Sequence, residues 1–104
     1  MGDQGRMLRI FVDESQTHGG LPVYELLVKA ARDAGLAGAT VLRGIAGFGH
    51  TRRIHTSKVL HVAEHVPIVV EIVDERAKVD GFVKEARAIA PGAMILAMDV
   101  EIVP

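Results

Sequence analysis

Pro67-Ile68-Val69-Val70-Glu71-Ile72-Val73-Asp74 is the stretch that decides the fold. It is dense in β-branched side chains, which suit a pleated, half-buried surface. Its proline stands where a strand tolerates one, at the opening residue. The spacing therefore predicts a strand over Ile68 to Asp74. Asp74 is then placed to cap a following helix through its side-chain oxygen. Val79, Phe82, Val83, Ala86, Ile89 and Ala90 form the apolar stripe of that helix. Pro91-Gly92 stops it, and Met94 to Val103 reads as a last strand.

The same pattern recurs upstream. Met7 to Asp13 alternates, with Leu8, Ile10 and Val12 on one side and Met7, Arg9 and Phe11 on the other. A polar stretch, Glu14 to Gly20, follows. Pro22 suits the first turn of a helix, where a missing N–H costs nothing. Tyr24, Leu27, Val28 and Ala31 keep helical spacing, and Gly35 is expected to end the helix in a left-handed conformation. Ala39 to Ala46 is the next strand.

The order is β-α-β-β-α-β, which predicts an α+β fold: a ferredoxin-like βαββαβ two-layer sandwich with both helices on one face of an antiparallel sheet. The other face is expected to carry Arg9, Phe11, Arg43, Val69, Glu71, Val73, Ile95 and Ala97, with Arg43 able to pair with Glu71. That set is too apolar for a free solvent face. It predicts a closed oligomer with its sheets turned inward.

Composition narrows the function classes. The chain has 104 residues, room for one domain, and 49% are hydrophobic with few aromatics, so the core is aliphatic. Residues 1–6 are expected to be a flexible N-terminus and residues 7–104 the single domain. A formal charge of -1 argues against a bulk electrostatic footprint for nucleic acid. There is no cysteine, which excludes disulfides, thiolate metal sites and a cysteine nucleophile. Met1 to Arg6 lacks the apolar core of a signal peptide, and no run is long and apolar enough to span a bilayer. A cytoplasmic location is expected.

Chemistry concentrates in Gly44-Ile45-Ala46-Gly47-Phe48-Gly49-His50-Thr51-Arg52-Arg53. Glycines permit close backbone approach and positive φ, and successive N–H groups in such a turn form an anion-binding nest. Thr51, Arg52 and Arg53 add a hydroxyl and guanidinium forks for phosphate or carboxylate, and His55 and Lys58 extend the polar reach. Gly44, Gly47, Phe48, Gly49, His50, Thr51, Arg52, Arg53 and His55 are the candidate ligand-binding residues. A phosphate-bearing small molecule is the expected ligand. The spacing is neither the dinucleotide fingerprint nor the P-loop, and glycines after a strand also mark simple bulges and tight turns.

The run GATVLRGIAGFGHTRRIHTSKVL, followed by PIVVEIVDE, resembles a prokaryotic PII-like family of unknown function, the domain-of-unknown-function 190 family. The likeness extends from Leu8 to Val103. Its most specific pieces are Gly35 to Val41, Arg43 to Gly49 and Arg53 to Thr56. The resemblance implies a PII-like domain over residues 7–104, assembled as a trimer and related in fold to nitrogen regulatory PII proteins. It implies nucleotide binding between subunits, with Gly47, Phe48 and Gly49 lining the cleft and His50 and Thr51 where a mobile loop begins. Arg52, Arg53 and His55 would lie in that loop, which in PII proteins touches channels, transporters or enzymes. The chain departs from PII where a second glycine-rich loop with a lysine is due: Ala90-Pro91-Gly92-Ala93 stands there. The C-terminal arginines of PII are absent as well. ATP binding in the PII manner is therefore not implied, while another nucleotide or a smaller anion is.

Two other classes compete. His50, His55, His61 and His65 cluster in sequence, and His61 and His65 stand i, i+4, which suits a metal if that arm is helical. A metal-binding or metal-tolerance trimer of CutA-like type is the alternative reading. Asp13, Glu14 and His18 resemble acid–base groups, but no nucleophile, base and orienting group pair up in sequence. No enzyme is expected.

Overall fold

The computed structural model describes residues 4–48, 54–56 and 66–104. In chain order the elements are β1 (Gln4–Asp13), β2 (Thr17–His18), β3 (Leu21–Pro22), α1 (Val23–Asp33), β4 (Gly38–Arg43), β5 (Ala46–Gly47), β6 (His55–Thr56), β7 (Pro67–Glu75), α2 (Arg76–Ile89) and β8 (Met94–Glu101). The main sheet has four strands in the order β4-β7-β1-β8, and every neighbouring pair is antiparallel. Stripped of its short strands, this is the expected βαββαβ order. Each helix carries the chain over one intervening strand, α1 over β7 and α2 over β1.

Both helices pack on one face of the sheet. The strands send Leu8, Ile10, Val12, Ile68, Val70 and Ile72 into that layer. α1 answers with Val23, Leu27 and Ala31, and α2 with Val79, Phe82 and Ala86. Full burial of a side chain of the Val, Leu, Ile or Phe class contributes about 1.5–3 kcal/mol. Gly35 ends the α1 segment at φ 79, the left-handed geometry expected of it. Tyr24 and Val28 sit at the margin of this core, partly buried.

Several boundaries differ from the sequence reading. β1 begins at Gln4, three residues before the expected Met7, so Gln4, Gly5 and Arg6 belong to the sheet. Arg6 is held there by charge: its Nε lies 2.8 Å from Asp80 Oδ1 and its Nη1 donates to Asp99 Oδ1 at 2.8 Å. Gly5 is buried beneath Ile102 and leaves no space for a Cβ. The polar stretch after β1 is a miniature hairpin: Thr17 faces Pro22 and His18 faces Leu21 across Gly19-Gly20, both at positive φ. That pair of conformations is what a two-residue hairpin turn requires. Pro22 precedes α1 instead of lying inside its first turn.

Asp74 does not cap α2, which has no side-chain cap. It is 3% exposed on the helix side of β7, where its carboxylate accepts the N–H groups of Ala37 at 2.9 Å and Glu75 at 2.6 Å. A buried charge demands such partners. The result ties the turn after α1 to the end of β7.

Candidate ligand-binding turn and open sheet face

The candidate turn leaves β4, an edge strand, and its start is fixed by close packing. The Gly44 N–H donates to the Pro67 carbonyl at 2.8 Å. A Cβ on Gly44 would stand 2.8 Å from Pro67 Cγ, so the approach of these two segments favours glycine. Beside it, the Glu14 N–H donates to the Val66 carbonyl at 3.0 Å, and Arg43 Nη2 reaches Glu14 Oε2 at 2.8 Å. The ends of β1 and β4 and the start of β7 are thus bound into one platform.

Beyond Gly44 the chain pairs with itself. β5 and β6 form a two-residue ladder, Ala46 facing Thr56 and Gly47 facing His55. Residues 48–54 are therefore bracketed by the Gly47–His55 pair. Phe48 and Ile54 flank that bracket at 60% and 75% exposure, so large apolar side chains stand at the neck of the basic stretch. Neither Gly44 nor Gly47 has positive φ. The amide nest expected from these glycines is not formed at Gly44, whose N–H is already spent on Pro67. Gly49, His50, Thr51, Arg52 and Arg53 lie outside the described residues, as do Lys58, His61, His65 and the side chain of His55. Among the described residues no group of three His, Asp or Glu could hold a metal ion.

The α2–β8 turn, where PII resemblance leads one to look for phosphate-binding glycines, is built differently. Arg87 Nη1 reaches the carbonyls of Ala90 at 3.3 Å, Pro91 at 3.1 Å and Ala93 at 2.6 Å. The Ala93 N–H is itself used by Ala90 O at 3.2 Å. The turn presents carbonyls to a cation of its own chain, the opposite polarity from an amide nest. The sequence reading passed over Arg87; a basic residue in the last turn of a helix was the available signal.

The sheet face away from the helices is bare. Register defines three rows across β4, β7, β1 and β8: Gly38-Val73-Met7-Met98, Thr40-Glu71-Arg9-Leu96 and Leu42-Val69-Phe11-Met94. The outer rows are apolar and the middle row carries one ion pair, Arg9 Nε to Glu71 Oε2 at 3.0 Å. Three members of the expected face are misplaced. Arg43 lies opposite Ile68, Ile95 opposite Ile10 and Ala97 opposite Leu8, which puts all three on the helix side. Arg43 accordingly pairs with Glu14, and the partner of Glu71 is Arg9. The face remains as apolar as expected, because Met94, Leu96 and Met98 take the places of Ile95 and Ala97.

A separate shallow groove of about 450 Å³ runs between α1 and the β4 edge, with Tyr24, Val28 and Val41 among its lining residues. None of the predicted site residues contributes to it.

Comparison with known proteins matches this architecture. Residues 5–102 match the DUF190 family, described as "Uncharacterized ACR". A UPF0166 protein of Aquifex aeolicus is 40% identical over 98 residues, covering 94% of this chain and 92% of that protein. Among solved structures, CPII from Thiomonas intermedia K12, a nitrogen regulatory PII-like protein bound to ADP, AMP and bicarbonate, superposes with a TM-score of 0.71 at 12% identity, covering 95% of this chain and 88% of that one. The apo form of CPII gives a TM-score of 0.63 at 13% identity, with 97% and 95% covered. With a family match over nearly its whole length and the sheet order described above, the chain belongs to the DUF190/UPF0166 family and has a PII-like fold.

Proposed function

We propose that this protein is a PII-like regulatory subunit that binds a small anionic ligand, a nucleotide foremost, where copies meet, and acts on a partner through the loop beyond Gly47. It is a binding protein and not an enzyme in this reading. Its compartment is the cytoplasm, and a membrane transporter or channel is the partner class that the PII resemblance suggests.

The observation that carries the reading is the position of the turn. It leaves an edge strand of a sheet whose broad face is bare and apolar. β4 and β8 are the two open edges, and they run in opposite directions because every pairing between them is antiparallel. Rotation about an axis parallel to the strands brings β8 of one copy beside β4 of the next, again antiparallel. Repetition closes a ring, a trimer in the PII-like case, with the bare faces inward. A ligand at the Gly44–Phe48 turn then sits at a seam between copies. That CPII is bound to ADP, AMP and bicarbonate favours ligands of this charge and size. The polarity of the Arg87 turn favours a ligand that needs no second amide nest.

Thermal denaturation against AMP, ADP, ATP, bicarbonate and zinc tests the reading. A ligand at a hundred times its dissociation constant adds about 2.7 kcal/mol of stability. A nucleotide should give that gain, and Arg52→Ala with Arg53→Ala should reduce it while leaving assembly intact. Stabilisation by zinc with none from any nucleotide overturns the proposal.

A further inference from the structure

We infer that the Arg9–Glu71 pair is the register key of self-association: Arg9 of each copy donates to Glu71 of the next, in a charged belt that fixes how many copies meet and at what height. The inference rests on the proposal above that second copies cover the open face.

Of the three rows that span all four strands, the belt is the only charged one, with apolar rows above and below it; Glu75, opposite Gly5, and Asp13, opposite Pro67, lie beyond those rows at the two ends of the same face. Arg9 and Glu71 face each other directly across β1 and β7, the central strands. Their side chains are 36% and 25% exposed, and Arg9 also lies over the Phe11 ring at 5.8 Å. The pair is poorly finished within one chain. Arg9 Nε is buried and stands 3.0 Å from Glu71 Oε2, yet it lacks a partner in hydrogen-bond geometry. A guanidinium offers five donors and a carboxylate about four acceptor sites, so the intrachain contact leaves most of both unused. Covering the face removes water from these groups, and each must then find protein partners.

Charge complementarity selects the occupant. A row holding one cation and one anion side by side is neutral, and under rotation it is its own complement. A copy of the same chain brings Glu71 to Arg9 and Arg9 to Glu71. A partner of strong single-sign charge satisfies one member and repels the other. A buried ion pair adds little net stability over apolar side chains of similar size, and its best-attested use is to fix register and oligomer state. The two apolar rows supply the attraction, and the belt supplies the alignment.

Native mass spectrometry of three forms tests this. The wild type should give one stoichiometry. R9M/E71M should still associate, with mixed stoichiometries, because the attraction remains and the alignment is lost. R9E/E71R keeps a pair within each chain and should assemble alone as the wild type does. Refolded together with wild type, it should form mixed oligomers at well below statistical proportions, since each mixed contact sets like charges together. Glu71→Gln alone should weaken association by about tenfold or more, because Arg9 is left buried without its counter-charge. A monomeric wild type defeats the covering of the face itself. A wild-type oligomer whose swapped variant mixes with it statistically, or an R9M/E71M variant of the same single stoichiometry, defeats the register key alone.

Discussion

Ile72 and Val73 are neighbours on β7 and face opposite ways. Ile72 lies fully buried beneath the helices, whereas Val73 belongs to the bare row with Met7 and Met98. The two faces of this sheet are nearly equal in apolar character, yet the fold covers one of them. Hydrophobicity alone does not distinguish the covered face from the open one here. What distinguishes them is the side on which the two crossover helices lie.

The widest consequence of that contrast is a pair of substitutions. Ile72→Asp should abolish folding, because it places an unpaired carboxylate in a fully buried position, a penalty of several kcal/mol. Val73→Asp, one residue on, should leave the circular dichroism spectrum unchanged and dissociate the oligomer. If both variants unfold alike, the open face is part of the monomer's own core and the contrast fails.

Asp74 sharpens the comparison from the opposite direction, since it is a charge on the covered side. Asp74→Ala leaves the Ala37 and Glu75 N–H groups without their acceptor and should cost about 2–3 kcal/mol in urea denaturation. Glu71, three residues earlier on the bare side, has its counter-ion at 3.0 Å in partial contact with solvent. Glu71→Ala should change monomer stability by less than about 1 kcal/mol. A larger cost at Glu71 than at Asp74 would reverse the assignment of faces.

The smallest effect belongs to the β2–β3 hairpin, which lies outside both layers. Gly20 has φ 83, so Gly20→Ala should cost about 1 kcal/mol through strain at that turn alone. Nucleotide-induced stabilisation should survive the change, because nothing in the open face or the Gly44 turn depends on Gly20.

The fold was legible in the sequence where period and punctuation agreed. Pro67 to Asp74 and the stripe from Val79 to Ala90 have the spacing of their elements and clear stops, and Gly35 is the expected left-handed residue. Legibility failed where the signal lies in a distant partner. Gln4 to Arg6 shows no alternation, and its place in β1 follows from Asp80, Asp99 and Ile102, all far along the chain. β8 is apolar at five successive positions, Met94 to Met98, so its parity is set by the pairing of Ile95 with Ile10 and not by its own pattern. The break between β4 and β5 comes from the contact of Gly44 with Pro67. Of the candidate site, the glycine-rich turn was visible as a turn. The use of its first amide within the chain was not, because that depends on where the Pro67 carbonyl arrives.

Static light scattering with size-exclusion chromatography, at micromolar concentration and without added nucleotide, tests the central claim most directly. The account predicts a single species several times the mass of one chain, trimeric by PII resemblance, which Val73→Asp converts to monomer. A wild-type chain that elutes as a stable monomer over the whole concentration range contradicts it, because the bare face would then have no second copy to cover it.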